Sequence, residues 1–172
     1  MIKILVNGYL GKMGQSVVNA IEDSDSHETL FFVDINSKTN SNTSVDFNSI
    51  DKSVVDKIDC IVDFTNSKGF IESAKFAMLN NIPFVSGSTG YSNDEMEKIK
   101  KLQSQNKVGV ALCSNFSTGA LLLAHLGKIA SKYYNYAELI ESHHERKLDA
   151  PSGTAISIAN TVSQEKNEAF EK

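Results

Sequence analysis

Residues 2–14 read IKILVNGYLGKMG, a short apolar run followed by three evenly spaced glycines. The apolar run at residues 2–6 is typical of a buried parallel strand. Gly8, Gly11 and Gly14 permit a tight turn and a close approach of the backbone to a ligand. The eight residues that follow have apolar side chains at helical spacing. The stretch therefore predicts a strand, a turn and a helix, the unit that holds the pyrophosphate of a dinucleotide at a helix N-terminus.

The spacing Gly-x-x-Gly-x-x-Gly is a variant of the commoner Gly-x-Gly-x-x-Gly fingerprint. A second apolar strand at residues 29–33 ends on Asp34, twenty positions after Gly14, where a carboxylate can accept hydrogen bonds from an adenosine ribose. These features predict a nicotinamide dinucleotide site, with a turn that binds nothing as the alternative. Asp34 favours NADH because it would repel a 2′-phosphate, but Lys12 and Lys38 can offset that repulsion. The sequence leaves NADH and NADPH both open.

The alternation of strand and helix continues along the chain. It predicts strands at residues 59–64, 82–86 and 108–112 and helices at residues 68–80 and 93–104. Strands separated by helices of this length imply right-handed crossovers and a parallel sheet with helices on both faces. Residues 36–51, rich in Asn, Ser and Thr, are predicted to form a mobile surface connection. We therefore expect an α/β fold, a Rossmann-like doubly wound parallel sheet, as the dinucleotide-binding domain at residues 1–114.

The pattern changes after this region. Residues 118–131 predict a long apolar helix, residues 136–142 a strand, and residues from 153 to about 162 another helix. One strand and two helices cannot enclose a core of their own. Residues 115–172 are thus predicted to be the start of an incomplete α+β domain for substrate binding and oligomerisation.

The composition points to a small-molecule partner. The chain has 172 residues, 41% of them hydrophobic, and a net charge of −4, so no strong positive field would draw it to nucleic acid or an anionic membrane. The first apolar run is too short for a signal peptide or a membrane span, which predicts a cytoplasmic protein. Cys60 and Cys113 end apolar runs and are expected to be buried free thiols. Neither has metal-ligand spacing, and no metal site is expected.

A second dense cluster lies at residues 138–155, ELIESHHERKLDAPSGTA. His143, His144 and Lys147 all prefer water and build no core. Histidine exchanges a proton near neutral pH, lysine supplies a cation, and amides at the start of a helix bind anions. The segment is interpreted as a site for a charged substrate, with a polar surface loop as the alternative.

Spacing argues against four other kinds of enzyme. A zinc-protease helix would need a histidine at Leu148, and a nucleophile elbow would need a glycine at Ala150. A phosphate-loop ATPase would need serine or threonine at Met13. None of the five tyrosines has a lysine four residues later, which disfavours a short-chain dehydrogenase.

Five motifs follow one another in the chain: VNGYLGKMG at 6–14, VDFT at 62–65, GSTG at 87–90, NFS at 115–117, and the cluster at 138–155. In this order the chain resembles the dihydrodipicolinate reductase family, also named 4-hydroxy-tetrahydrodipicolinate reductase. The resemblance spans nearly the whole chain. It implies the NAD(P)H-dependent reduction of 4-hydroxy-tetrahydrodipicolinate to tetrahydrodipicolinate, a step of lysine and diaminopimelate biosynthesis. The alternative is a dinucleotide-binding remnant without catalysis.

The resemblance also implies residue roles. His143 is implied as proton donor or acceptor and Lys147 as proton donor, since reduction of an unsaturated imine needs a proton at the ring nitrogen and a cation nearby. The substrate, a ring with two carboxylates, is implied to bind His144, Gly153, Thr154 and Thr89. NADH or NADPH is implied to bind Gly8, Tyr9, Leu10, Gly11, Lys12, Met13, Asp34, Gly87, Ser88, Thr89, Cys113, Ser114, Asn115 and Phe116.

The chain departs from the family pattern at three points. Lys12 stands where arginine is usual, which keeps the charge but loses the bidentate fork for phosphate. Ser88 replaces a usual threonine. The family continues beyond Lys172 with strands that complete the second domain and build a homotetramer, and with a helix that returns to the first. The sequence is accordingly expected to be a fragment or a natural short form, and tetrameric only as a longer chain.

Overall fold

The computed structural model describes residues 1–113, 115–143, 145 and 150–166, with residues 165 and 166 described by their backbone alone. The chain separates into two compact units, Met1–Cys113 and Ser114–Lys172.

The first unit is built on a parallel sheet of six strands. Its strands are β1 (Ile2–Asn7), β2 (His27–Val33), β3 (Thr43–Ser44), β4 (Cys60–Asp63), β5 (Phe84–Ser86) and β6 (Val110–Leu112). Its helices are α1 (Lys12–Glu22), α2 (Lys52–Val55), α3 (Ser67–Leu79) and α4 (Asn93–Asn106). The predicted alternation is confirmed, with shifts of a few residues at the ends of the elements.

The strand order is β3-β2-β1-β4-β5-β6, so the sheet grows outward in both directions from β1 and β4. These two strands pair in register, with Asn7 opposite Asp63. Ligands of open α/β sheets bind beyond the carboxyl ends of the strands at the point where the order reverses. In this sheet that point lies between the ends of β1 and β4.

The sheet is covered on both faces, as predicted. On one face, Leu5 and Ile61 pack with Phe70 of α3 and Ile99 of α4. On the other face, Ile4 and Val6 of β1 pack with Ile21 of α1. Alternate side chains of β1 thus enter opposite cores, because successive residues of a strand point to opposite faces.

The prediction of a mobile surface connection at residues 36–51 is wrong in part. Residues Thr43–Ser44 form β3, which pairs with β2 at the edge of the sheet. Phe47 and Ile50 are buried, and the Phe47 ring lies 4.8 Å from that of Phe76. The polar composition concealed these two apolar anchors, because most of the other residues of the segment are polar and exposed.

The second unit contains α5 (Thr118–Ala130) and α6 (Gly153–Lys166), which contact each other. They approach closely at Gly127, where an added Cβ would lie 3.1 Å from a methyl of Val162. α6 extends four residues beyond the predicted end. The predicted strand at residues 136–142 is wrong: these residues have no regular secondary structure. A strand requires a hydrogen-bonding partner, and the described part of this unit holds no other strand.

The expectation of two buried thiols is only partly met. Cys60 is half-buried in β4, and Cys113 is exposed because it follows the edge strand β6. Burial, with the nearby Asp59 carboxylate as a second cause, raises the pKa of the Cys60 thiol.

None of the helices among the described residues has the length and apolar character needed to cross a membrane.

Candidate active site

The glycine turn after β1 is shaped by steric necessity. Gly8 has φ of +83° and donates its N–H to the carbonyl of Val33, 2.8 Å away. An added Cβ at Gly8 would lie 2.5 Å from the carbonyl oxygen of Phe64, and one at Gly14 would lie 2.0 Å from that of Gly8. Neither position can hold a larger residue without moving the backbone. The turn therefore needs glycine where the sequence predicts it.

The helix that follows the turn begins without a side-chain cap. Gly11 is its N-cap residue, and its first turn contains no acidic side chain. The Gly11 N–H donates to the Gly8 carbonyl at 3.0 Å, which closes the turn. Lys12 and Met13 are exposed at the helix start. Because the first N–H groups of a helix lack intrahelical acceptors, this end of α1 is suited to an anion such as a pyrophosphate.

Asp34, the residue after β2, contacts the same turn. Its Oδ2 accepts a hydrogen bond from the N–H of Leu10 at 3.2 Å, and its Oδ1 accepts one from the N–H of Asn36 at 2.9 Å. An ionised carboxylate has about four acceptor positions, which leaves positions for ribose hydroxyls. Tyr9 packs its ring 4.8 Å from Phe32, so its side chain belongs to the α1 face of the sheet.

The predicted residues after β5 and β6 lie at the neighbouring strand ends. The N–H of Gly87 donates to the Asp63 carbonyl at 2.9 Å, and the N–H of Cys113 donates to the Ser86 carbonyl at 2.9 Å. Ser88 is buried, whereas Thr89 is exposed. The structure thus brings the glycine turn, Asp34 and the segment after β5 to the carboxyl edge of one sheet.

In the second unit, a carboxylate joins His143 to the start of α6. Glu141 accepts hydrogen bonds from the backbone N–H of Ser152 at 2.7 Å and from its hydroxyl at 2.5 Å. The Nδ1 of His143 lies 3.5 Å from Glu141 Oε2, and the His143 side chain is 39% exposed. Ser152 Oγ accepts from the N–H of Ala155 at 3.0 Å and so caps α6. His143 is therefore accessible on a segment tied to the helix start.

Gly153 and Thr154 are the first two residues of α6 and are exposed. An added Cβ at Gly153 would meet no atom within 4 Å.

The predicted cofactor residues after β6 lie in the segment before α5. Asn115 accepts a hydrogen bond from the N–H of Ser117 at 2.8 Å, and Phe116 is 47% exposed. The remaining predicted site residues lie outside the described residues: Ser114, His144 and Lys147.

A dinucleotide fits the first unit on three observations. The backbone at Gly8 and Gly14 leaves no room for a Cβ, the start of α1 is uncapped by a side chain, and the buried Asp34 contacts the turn.

Among the described residues, no group of three or more His, Cys, Asp or Glu side chains is arranged to hold a metal ion. An apolar depression of about 390 Å³ between β1 and α1 contains none of the predicted site residues.

Two carboxylates at these sites were not predicted from the sequence. Asp63 is fully buried at the end of β4, and Glu141 is the partner of Ser152 and His143. One signal was available for Asp63: like Asn7 and Asp34, it is a polar residue at the carboxyl end of an apolar strand. Nothing in the sequence indicates that Glu141 meets Ser152, because eleven residues separate them.

Comparison with known proteins agrees with this architecture. The model of the dihydrodipicolinate reductase N-terminus matches residues 2–116, and that of the C-terminus matches residues 119–172. The chain belongs to the dihydrodipicolinate reductase family. The resemblance deduced from the motifs is thus confirmed.

Several members of the dihydrodipicolinate reductase family are similar over almost the whole chain. The 4-hydroxy-tetrahydrodipicolinate reductase of Dehalococcoides mccartyi strain CBDB1 is 34% identical over 179 residues, covering 99% of this chain and 68% of that protein. The enzyme of the same name from Carboxydothermus hydrogenoformans is 35% identical over 178 residues, covering 95% of this chain and 66% of its own length. The chain therefore spans about two thirds of these relatives.

A solved structure of this family has the same fold. The dipicolinate-bound dihydrodipicolinate reductase from Paenisporosarcina sp. TG-14 superposes with a TM-score of 0.81 at 27% sequence identity. The match covers 100% of this chain and 69% of that one. The Rossmann-like fold predicted from the sequence is confirmed.

Proposed function

We propose that this protein reduces 4-hydroxy-tetrahydrodipicolinate to tetrahydrodipicolinate with NADH or NADPH, in lysine and diaminopimelate biosynthesis. The observation that carries the proposal is the cradle formed by Gly8 and Gly14 with Asp34 bonded to the same turn. Close backbone packing beneath an uncapped helix start is the arrangement that a pyrophosphate-binding turn needs. Membership of a reductase family over both parts of the chain supports the same activity.

The dinucleotide would be held at the carboxyl edge of the sheet. The start of α1 binds the pyrophosphate, and Asp34 accepts hydrogen bonds from the adenosine ribose. The bound nucleotide supplies the hydride. The residues proposed to contact it are Gly8, Tyr9, Leu10, Gly11, Lys12, Met13, Asp34, Gly87, Ser88, Thr89, Cys113, Ser114, Asn115 and Phe116.

The segment before α6 would hold the substrate and move the proton. The amides of Gly153 and Thr154 take one carboxylate at the helix start, with His144 and Thr89 as further contacts. His143 and Lys147 supply the proton and the positive charge at the ring nitrogen. The related reductase from Paenisporosarcina sp. TG-14 is bound to dipicolinate, a ring with two carboxylates, which supports a substrate of this class.

We further propose that residues 1–114 form the dinucleotide domain and that residues 115–172 begin the substrate and oligomerisation domain. The protein would act in the cytoplasm as a homotetramer in its longer form. α5 supports an assembly, because none of its thirteen residues is buried and its exposed apolar side chains would be covered in one. These side chains are Leu121, Leu122, Leu123, Leu126 and Ile129.

The test is a turnover assay that follows nucleotide absorbance with freshly generated substrate. Lys147→Ala should lower kcat by roughly 10²-fold or more, as expected for loss of a proton donor, and leave the dissociation constant of NADH within about threefold. Lys132→Ala removes an exposed lysine elsewhere in the second unit and serves as the control, with kcat unchanged.

The rival function is dinucleotide binding without catalysis. It would give NADH binding by fluorescence titration but no turnover by the wild-type protein. Equal losses of turnover and nucleotide affinity in Lys147→Ala would contradict the role proposed for the lysine.

A further inference from the structure

Asp63 is a buried carboxylate to which the proposed reaction assigns no step. It ends β4 with 0% of its surface exposed. Its Oδ1 accepts hydrogen bonds from Asn7 Nδ2 at 2.9 Å and from Thr65 Oγ1 at 2.7 Å. Its Oδ2 accepts from the hydroxyls of Ser86 and Ser88, each at 2.7 Å. Four short hydrogen bonds thus converge on one side chain.

The four donors come from the ends of three strands. Asn7 ends β1, Thr65 follows β4, Ser86 ends β5, and Ser88 lies in the segment after it. Asp63 stands beside the point where the strand order reverses, between β1 and β4. Its carboxylate therefore connects the segments that border the ligand crevice of such a sheet.

A second layer of hydrogen bonds extends the network into the backbone. Ser88 Oγ accepts from the N–H of Thr65 at 2.7 Å, and Ser86 Oγ accepts from the N–H of Ser88 at 3.1 Å. The methyl of Thr65 borders the glycine turn, since an added Cβ at Gly8 would lie 2.8 Å from it. Movement of Thr65 or Ser88 would therefore reach both the Gly8 turn and the segment of Gly87 and Thr89.

The four side chains that donate to Asp63 are all neutral. No lysine, arginine or histidine among the described residues forms an ion pair with it. Burial of a carboxylate costs free energy unless hydrogen bonds satisfy it, and apolar residues would stabilise a sheet interior without that cost. What the carboxylate adds is one fixed geometry for the segments whose side chains donate to it.

We propose that Asp63 is a positioning residue for the nicotinamide dinucleotide, acting through Thr65 and Ser88 on the Gly8 turn and the segment after β5. The inference rests on the proposed use of NADH or NADPH. It predicts that loss of the carboxylate weakens nucleotide binding more than it weakens binding of the dicarboxylate substrate. The loss of nucleotide affinity should also exceed what an equal loss of fold stability would cause.

The first test is Asp63→Asn, which keeps the shape but turns one acceptor into a donor. The dissociation constant of NADH, by fluorescence titration, should rise about tenfold, the factor that corresponds to a net loss of one or two hydrogen bonds. The KM of the dicarboxylate substrate and kcat at saturating NADH should change less than about threefold.

A matched variant separates positioning from stability. Ile58→Ala removes a buried side chain from the loop that leads into β4, at the end of the strand away from Asp63. It should lower the melting temperature at least as much as Asp63→Asn does, because it opens a cavity in the core, yet leave the NADH dissociation constant unchanged. If Ile58→Ala weakens NADH binding as much as Asp63→Asn does, Asp63 is only structural and the inference is overturned.

The Thr65 hydroxyl gives a test that does not depend on Asp63→Asn folding. Thr65→Val keeps the shape and the methyl but loses the hydroxyl, and should weaken NADH binding about fivefold. Thr65→Ser keeps the hydroxyl and should recover most of that loss. Equal affinity in the valine and serine variants would overturn the inference alone. Absence of NADH and NADPH binding by the wild-type protein would instead overturn the proposed function, and this inference with it.

Discussion

The carboxylate of Glu141 accepts two hydrogen bonds from Ser152, one from its backbone N–H at 2.7 Å and one from its hydroxyl at 2.5 Å. Ser152 is buried and caps α6, the helix whose first amides are proposed to hold a substrate carboxylate. The same carboxylate lies 3.5 Å from His143 Nδ1. His143, the proposed proton donor or acceptor, and the proposed anion site therefore share Glu141 as a hydrogen-bonding partner.

Glu141→Gln should loosen this anchor. A carboxamide has one acceptor oxygen where the carboxylate has two, so one of the two Ser152 donors loses its partner. We expect a loss of about 1–2 kcal/mol in the free energy of unfolding, measured by denaturant titration. We also expect kcat to fall, because His143 loses its orientation. Glu138→Gln is the control, because Glu138 accepts from the hydroxyl of the exposed Tyr136. An unchanged kcat in Glu141→Gln would contradict a role in orienting His143.

Gly8→Ala should damage the nucleotide site and the fold together. The φ of +83° is unfavourable for alanine, and the added Cβ would lie 2.5 Å from the Phe64 carbonyl oxygen. We expect a loss of at least about 2 kcal/mol in the free energy of unfolding and a loss of NADH binding. Gly109→Ala is the matched control, since its Cβ would meet no atom within 4 Å. A Gly8→Ala protein as stable as Gly109→Ala, with normal NADH affinity, would contradict the proposed role of the Gly8 turn in nucleotide binding.

Asp34→Ser should shift nucleotide preference toward NADPH. The substitution removes the negative charge that would repel a 2′-phosphate, while Lys12 and Lys38 remain. We expect the ratio of kcat/KM for NADPH to that for NADH to rise about tenfold. Asp46→Ser is the control, because Asp46 accepts from Ser49 in a turn that the proposed site does not use. A ratio that stays constant or falls would exclude Asp34 from the ribose site.

The two thiols should react at different rates. Cys113 is exposed, whereas burial raises the pKa of Cys60, so less of Cys60 is thiolate at a given pH. Disulfide-exchange labelling near pH 8 should modify Cys113 first, and the Cys60 rate should keep rising at pH values above the ordinary thiol pKa. Cys113→Ser and Cys60→Ser proteins isolate the two rates. Bound NADH should slow Cys113 labelling but not Cys60 labelling, and equal protection of both would argue against a nucleotide contact at Cys113.

Much of the fold follows from local sequence. Gly8 and Gly14 mark a turn that only glycine can form, and apolar runs bounded by polar residues mark β1 and β4. The motif containing His143 and Lys147 is the basis of the proposed chemistry, because such side chains are seldom buried in a core. These features depend on residues close together in the chain, whose periodicity and backbone preferences can be read directly.

The remaining features depend on contacts between distant residues. Strand β3 exists because the edge of β2 offers it hydrogen bonds, and the strand predicted at residues 136–142 has no such partner in the described part of its unit. Asp63 meets donors 56, 23 and 25 positions away in Asn7, Ser86 and Ser88.

The α/β alternation, the glycine turn and the family can all be recognised in the amino-acid sequence. The strand order, the partners of Asp63 and the link from Glu141 to Ser152 become visible only in the folded chain. A buried carboxylate is stable where hydrogen-bond donors satisfy it, and folding brings Asn7, Ser86 and Ser88 to Asp63 from distant positions in the chain.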